Sequence, residues 1–168
     1  MVFQRPVMLR RSVAANIVYA LALRSVPRRE QTARIDDVLV WTDLRRFADR
    51  PARVLSVGEQ QKLALARAWA LAPQVLFLDE PTASLDPAAT RAVENIVLAM
   101  RESGTKIIMT THDLAQARRV ADEVLFLHRG RLYEQTPADR FFAAPESAEA
   151  QHFIESKLLA KQRRVFAC

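Results

Sequence analysis

Two short apolar runs constrain this chain more than any other feature: "QVLFLD" at 74–79 and "TKIIMT" at 105–110. Runs of this length, without alternation, read as strands buried on both faces. Between them, Asp86-Pro87 supplies an N-cap and a first helical residue, and Gly104 a stop, which predicts a helix to about residue 103. Strand, helix, strand in that order form a parallel crossover unit, so the chain is an α/β protein. In open α/β sheets, ligands bind beyond the carboxyl ends of the strands. The first run ends in Asp79 and Glu80; the second leads into Thr110, Thr111 and His112. Both polar clusters are expected to face one crevice.

The flanking segments have a different texture. "SVAANIVYALALR" at 12–24 opens with a Ser cap and carries apolar residues at helical spacing. Residues 28–41 and 43–50 read as further short helices, punctuated by Pro27 and Pro51. "SVGEQQKLALARAWALA" at 56–72 begins with a capping box, Ser56 and Glu59, and predicts a helix to about Ala72. Beyond the second strand, Asp113 caps a helix over 114–121. "EVLFLHRGRLYEQ" at 123–135 reads as two strands turning at Arg129-Gly130. Thr136-Pro137 starts a helical region, broken near Pro145, that runs towards the basic stretch "KQRR". The organisation is thus a helical part over 1–72, an α/β core over 73–135 and C-terminal helices over 136–168.

Length and composition fit one soluble globular domain: 168 residues, half of them hydrophobic and 26% charged. No apolar run reaches the roughly 18 residues of a membrane span. "MVFQRPVMLRR" does not read as a charged-then-apolar leader. The single cysteine, Cys168, excludes an internal disulfide framework. Charge is uneven. Residues 1–72 hold 13 Lys and Arg against 6 Asp and Glu, whereas residues 73–168 hold 12 against 13. Such an excess suits an acidic partner, and it equally suits a solvated Arg-rich surface.

The strand-end residues suit phosphoryl transfer. Asp79 is a hard oxygen ligand for Mg²⁺. Glu80, adjacent but aimed differently, suits a general base that polarises a water, and the His112 ring can hold a phosphate group or that water. Taken singly, each residue has a plainer reading as a loop opener or a helix cap; together, with "PTASLD" between them, they point to chemistry. His128 and His152 stand apart from any ligand cluster and read as structural, as do Trp41, Trp69 and most of the Phe residues.

Five motifs, in order and at matching spacing, give the chain a family likeness. It resembles the ATP-binding subunits of ABC transporters. "VFQRPVML" at 2–9 is similar to the family's Q-loop, "LSVGEQQKLALARA" at 55–68 to its signature and helix, and "VLFLDEP" at 75–81 to Walker B with its glutamate. "SLD" at 84–86 is similar to the D-loop and "TTHD" at 110–113 to the switch. The resemblance implies a P-loop NTPase core preceded by a helical subdomain, ATP and Mg²⁺ as cofactors, and ATP hydrolysis coupled to transport. It implies Glu80 as base, His112 as γ-phosphate switch, and Asp79 with Gln4 at the metal. Ser56 and the backbone of Val57, Gly58 and Glu59, at a helix N-terminus, would meet the γ-phosphate of a second nucleotide-binding subunit in a head-to-tail dimer. Asp86 would organise that interface, and Gln4 would couple the nucleotide to membrane permease subunits. The implied location is cytoplasmic, at the inner face of the plasma membrane, with no nucleic acid as partner.

Two departures stand out. Val57 occupies a position where the family usually has Gly, and a branched Cβ is expected to disfavour both φ > 0 and close approach of a phosphate. A phosphate-binding loop needs Gly-x-x-x-x-Gly-Lys-Ser/Thr, yet the chain's glycines, Gly58, Gly104 and Gly130, stand 46 and 26 residues apart. The family places that loop, its first strands and an adenine-stacking aromatic before the glutamine, where this chain has three residues. The expectation is therefore an incomplete ABC ATPase core with an under-filled interior and open apolar strand edges, inactive alone.

Other readings remain at this stage. The chain can be a non-catalytic module that lends its signature helix to an intact partner. An ABC-type protein of DNA repair or chromosome structure is a third reading, disfavoured by the lack of any long heptad run. For an importer, the stretch "FQRPVMLRRSVAANIVYAL" looks most like carriers of oxyanions such as tungstate, with phosphate and polar amino acid importers as neighbours. Arg10 and Arg11 are candidates for contact with a membrane subunit.

Overall fold

The computed structural model describes residues 1–165, with side chains to residue 157; the stretch "KQRR" at 161–164 and Cys168 lie outside the described side chains. The chain divides into two compact units, Met1–Thr110 and the residues from Thr111 onward. This division falls after the second strand, and the leading helices share one buried cluster with the first strand.

In the first unit, α1 (Val13–Leu23), α2 (Arg28–Trp41) and α3 (Val57–Trp69) precede β1 (Val75–Asp79), α4 (Pro87–Glu102) and β2 (Lys106–Thr110). Ile17 and Leu21 of α1, Val38 of α2, Leu63 and Leu65 of α3, Leu76 and Leu78 of β1 and Val97 of α4 belong to one buried cluster. β1 and β2 pair in parallel, with Phe77 opposite Ile108 and Asp79 opposite Thr110. The crossover predicted between the strands is therefore present. Residues 43–50 form a single 3-10 turn, Arg45–Phe47, rather than an α-helix, and α3 stops at Trp69, short of Ala72.

The strands are not buried on both faces. Leu76 and Leu78 are covered, but Val75 and Phe77 are 45% and 49% exposed, and Ile108 is 42% exposed. One face of the sheet meets the core and the other is open. The first 72 residues are also not purely helical. Val2 forms a parallel bridge with Leu78 on the side of β1 away from β2, donating to the Phe77 carbonyl at 2.8 Å and accepting from the Asp79 amide at 2.9 Å. Buried Asn16 fixes the chain that follows: its Oδ1 accepts from the Leu9 amide, and its Nδ2 donates to the Ser12 carbonyl.

The second unit holds α5 (Leu114–Val120), β3 (Glu123–His128), β4 (Arg131–Pro137), α6 (Ala138–Ala143) and α7 (Ala148–Val165). β3 and β4 form an antiparallel hairpin and a separate two-stranded sheet, so the parallel pattern ends at β2. The predicted turn stands: Arg129 and Gly130 both have positive φ, 48° and 75°, as a tight hairpin needs. Phe126, Phe141 and Ala150 make the core of this unit. Glu134 on β4 accepts from the amides of Glu146 and Ser147 and from the Ser147 hydroxyl, which ties the start of α7 to the hairpin.

Candidate functional site

The carboxyl end of β1 carries the densest chemistry. Asp79 and Thr110 are cross-strand neighbours, and Thr110 Oγ1 donates to Asp79 Oδ1 at 2.8 Å. The Glu80 amide donates to both the Thr110 carbonyl and Thr110 Oγ1, each at 3.2 Å. Glu80 has φ 42° and precedes Pro81. A non-glycine residue in the left-handed region, disfavoured further by the following proline, stores about 1–3 kcal/mol and persists only where its surroundings hold it. Strain of this kind concentrates at working sites.

The bridge at Val2 brings Gln4 to the same strand end, two residues past the partner of Leu78. Gln4 is exposed. Arg67 of α3 donates to the Val7 carbonyl at 2.9 Å, and Arg53 Nε to the Met8 carbonyl at 3.4 Å, so two guanidiniums hold the backbone that follows Gln4. Burial pushes the Arg67 guanidinium below its ordinary value.

A second cluster forms where α3 and α4 begin. Ser56 Oγ accepts from the Glu59 amide at 3.3 Å, and the Glu59 carboxylate accepts from the Ser56 amide at 2.8 Å, completing the capping box. Asp86 Oδ1 accepts from the amides of Ala88 and Ala89, both at 2.9 Å. A Cβ on Gly58 would lie 2.9 Å from Ala89 Cβ. Signature glycine and Asp86 thus converge on Ala89. Glycine is required at 58 by a close helix approach rather than by conformation. Val57 corrects one expectation: as the first residue of α3 it has no positive φ, so the branched side chain is not strained, and it projects 56% exposed.

The structure therefore gathers Asp79 and Glu80 at one strand end, next to the Gln4 segment, and Ser56, Val57, Gly58, Glu59 and Asp86 at the α3–α4 start. His112 belongs to the second unit, exposed, immediately before Asp113, whose Oδ1 caps α5. Sequence reasoning placed Thr110 at the crevice but gave it no partner and no role. Its signal was available only once the register of β1 and β2 was known.

The donor set suits a nucleotide-borne cation. Among the described residues no three His, Cys, Asp or Glu cluster as a protein cage. Mg²⁺ needs none, since it is commonly held by one or two carboxylates with phosphate oxygens and water completing the shell. Thr110 engages one Asp79 oxygen and leaves the other for such an ion.

Comparison with known proteins adds sequence and fold relatives. The ABC transporter family profile matches residues 1–83. The chain is 35% identical over 166 residues to the phosphate import ATP-binding protein PstB of Mycoplasmoides gallisepticum, covering 94% of this chain and 50% of the relative. It is 40% identical over 160 residues to PstB of Mycobacterium intracellulare, covering 92% and 55%. Among solved structures, cbiO1 of Clostridium perfringens, part of the ABC transporter complex cbiONQ, superposes with a TM-score of 0.78. It is 31% identical over 86% of this chain and 59% of its own. The chain spans 50% and 55% of the length of the two curated relatives. Fold, motif order and relatives coincide: the chain is similar, over 50–59% of their length, to ATP-binding subunits of ABC transporters.

Proposed function

We propose that the protein carrying these 168 residues hydrolyses ATP to drive an importer of a small oxyanion. The observation that carries the reading is the end of β1, where Asp79 is engaged by Thr110 on one oxygen and Glu80 is held at φ 42°. Asp79 would hold Mg²⁺, with Gln4 beside it, and the ion would supply charge neutralisation at the phosphate. Glu80 orients the attacking water and takes its proton. His112 is assigned the γ-phosphate switch by its place in "TTHD". The exposed Ser56 end of α3 offers backbone amides to the nucleotide of a second, head-to-tail subunit. Asp86, which caps α4 against the same junction, organises that contact.

The relatives revise the cargo. PstB proteins are named for phosphate import, which moves the proposal from tungstate to phosphate. Partners are membrane permease subunits, as the cbiONQ complex suggests for its own component. Among the described residues no helix is long and apolar enough to cross a membrane, which fits a subunit seated at the inner face of the plasma membrane beside separate permeases. The test is ATP-driven uptake into proteoliposomes containing the protein and its permeases. Uptake of labelled phosphate in preference to tungstate is expected; ATP hydrolysis without uptake of either refutes the importer reading.

A second reading has its own observation. The 168 residues contain no Gly-x-x-x-x-Gly-Lys-Ser/Thr, while the signature end is well formed. These residues then act by completing a partner's site. Stimulation of an intact partner's ATPase by this chain, lost on Ser56→Arg, favours that role.

A further inference from the structure

We propose that Thr110 is a positioning residue that fixes the metal carboxylate and the base relative to each other. The proposal rests on the roles assigned above to Asp79 and Glu80. A hydroxyl has one proton to donate and two lone pairs to accept with. Thr110 Oγ1 lies 2.8 Å from Asp79 Oδ1, a carboxylate oxygen that only accepts, so its proton points there. The Glu80 amide supplies a proton to the same Oγ1 at 3.2 Å. The direction of the chain is therefore fixed: Glu80 N–H to Thr110 O–H to Asp79 carboxylate. Serial hydrogen bonds of one polarity strengthen each other.

Each link has a consequence. The bond to Oδ1 holds the Asp79 side chain in one orientation and leaves Oδ2 for a cation. The bond from the amide, reinforced by the Thr110 carbonyl at 3.2 Å, holds the Glu80 backbone at φ 42°. One side chain on β2 thus secures the carboxylate of the last residue of β1 and the backbone of the residue that follows it. Neither Val nor Ala at position 110 offers that proton; Ser does. Thr110 is exposed, so replacement leaves the packed core intact.

The test uses the ¹⁵N-labelled chain with Thr110→Val, Thr110→Ala and Thr110→Ser. Two quantities are read: hydrogen exchange at the Glu80 amide, and the Mn²⁺ concentration that half-broadens the Asp79 and Glu80 amide signals. The Val and Ala variants are expected to exchange about five- to tenfold faster at Glu80, the effect of losing one net hydrogen bond. They should also need several-fold more Mn²⁺. Ser should restore both. Unchanged exchange in the Val and Ala variants, or a Ser variant that behaves like Val, overturns the proposal. Failure of Mn²⁺ to broaden these signals in the unaltered chain counts against the metal role of Asp79 instead, and exchange at Glu80 then decides the role of Thr110.

Discussion

The Val2 carbonyl accepts the Asp79 amide at 2.9 Å, and the Val2 amide donates to the Phe77 carbonyl at 2.8 Å. A single buried residue at the start of the chain is thereby laced to the strand that ends in the reactive carboxylates. The Gln4 segment and β1 are expected to move together. Val2→Pro removes the donor to Phe77 and, with it, one rung of that lacing. A loss of about 1 kcal/mol or more follows, read as a lower urea midpoint. An unchanged midpoint would show that the lacing carries no stability.

Gly58 and Ala89 make a sharper case. With 2.9 Å between an added Cβ and Ala89 Cβ, Gly58→Ala must push α3 and α4 apart. Overpacking of this kind costs typically about 1–3 kcal/mol. Ala89→Gly in the same chain vacates the space and should recover most of that loss. The four proteins of this double-mutant cycle, melted in parallel, give the answer; additive losses would mean that the helices do not meet through this pair.

The open sheet face is expected to bind hydrophobic dye. Val75, Phe77 and Ile108 expose large apolar surface on one side of β1 and β2, and patches of this kind promote association. Phe77→Thr with Ile108→Thr should lower dye fluorescence and raise the concentration at which the chain aggregates. Stability should shift little, since neither side chain is in the core. Dye binding equal to that of the unaltered chain would place the exposed surface elsewhere.

Glu134 sets a pH dependence in the second unit. Burial pushes its carboxyl up, but the Ser147 and Glu146 amides, the Ser147 hydroxyl and the Arg140 charge outweigh burial, and it titrates below the ordinary 4.5. A carboxyl with a depressed folded pKa stabilises fully above about pH 4.5 and loses that contribution as pH falls through the folded value. Glu134→Gln should be less stable near neutrality and should melt with a flatter pH profile below 4.5. Parallel acid profiles for the two proteins would refute the assignment.

Much of this was legible in sequence. Capping residues announce themselves by type and spacing, and Ser56, Asp86 and Asp113 all cap as read. The Arg129-Gly130 turn follows from the same local chemistry. The buried faces did not follow. A short apolar run looks the same whether one side or both are covered, so Phe77 and Ile108 were read as interior. The bridge at Val2 joins residues 76 apart in sequence, and no local pattern announces it. Likewise Glu80 carries no sign of its φ 42°, which comes from strand-end contacts, and Val57 was misread because a Gly position suggested positive φ where a helix start needs none.

The central claim divides labour between two adjacent carboxylates, and radiolabelled ATP tests it most directly. The protein is joined to a segment supplying a phosphate-binding loop, incubated with Mg-ATP and passed through a desalting column, and the retained label is resolved into ATP and ADP. Glu80→Gln should keep ATP bound and uncleaved, with hydrolysis slowed about 10²–10⁴-fold, the usual effect of losing a general base. Asp79→Asn should retain little label, because its metal contact is lost. Equal retention by the two variants, or cleavage by Glu80→Gln at the unaltered rate, would contradict the account.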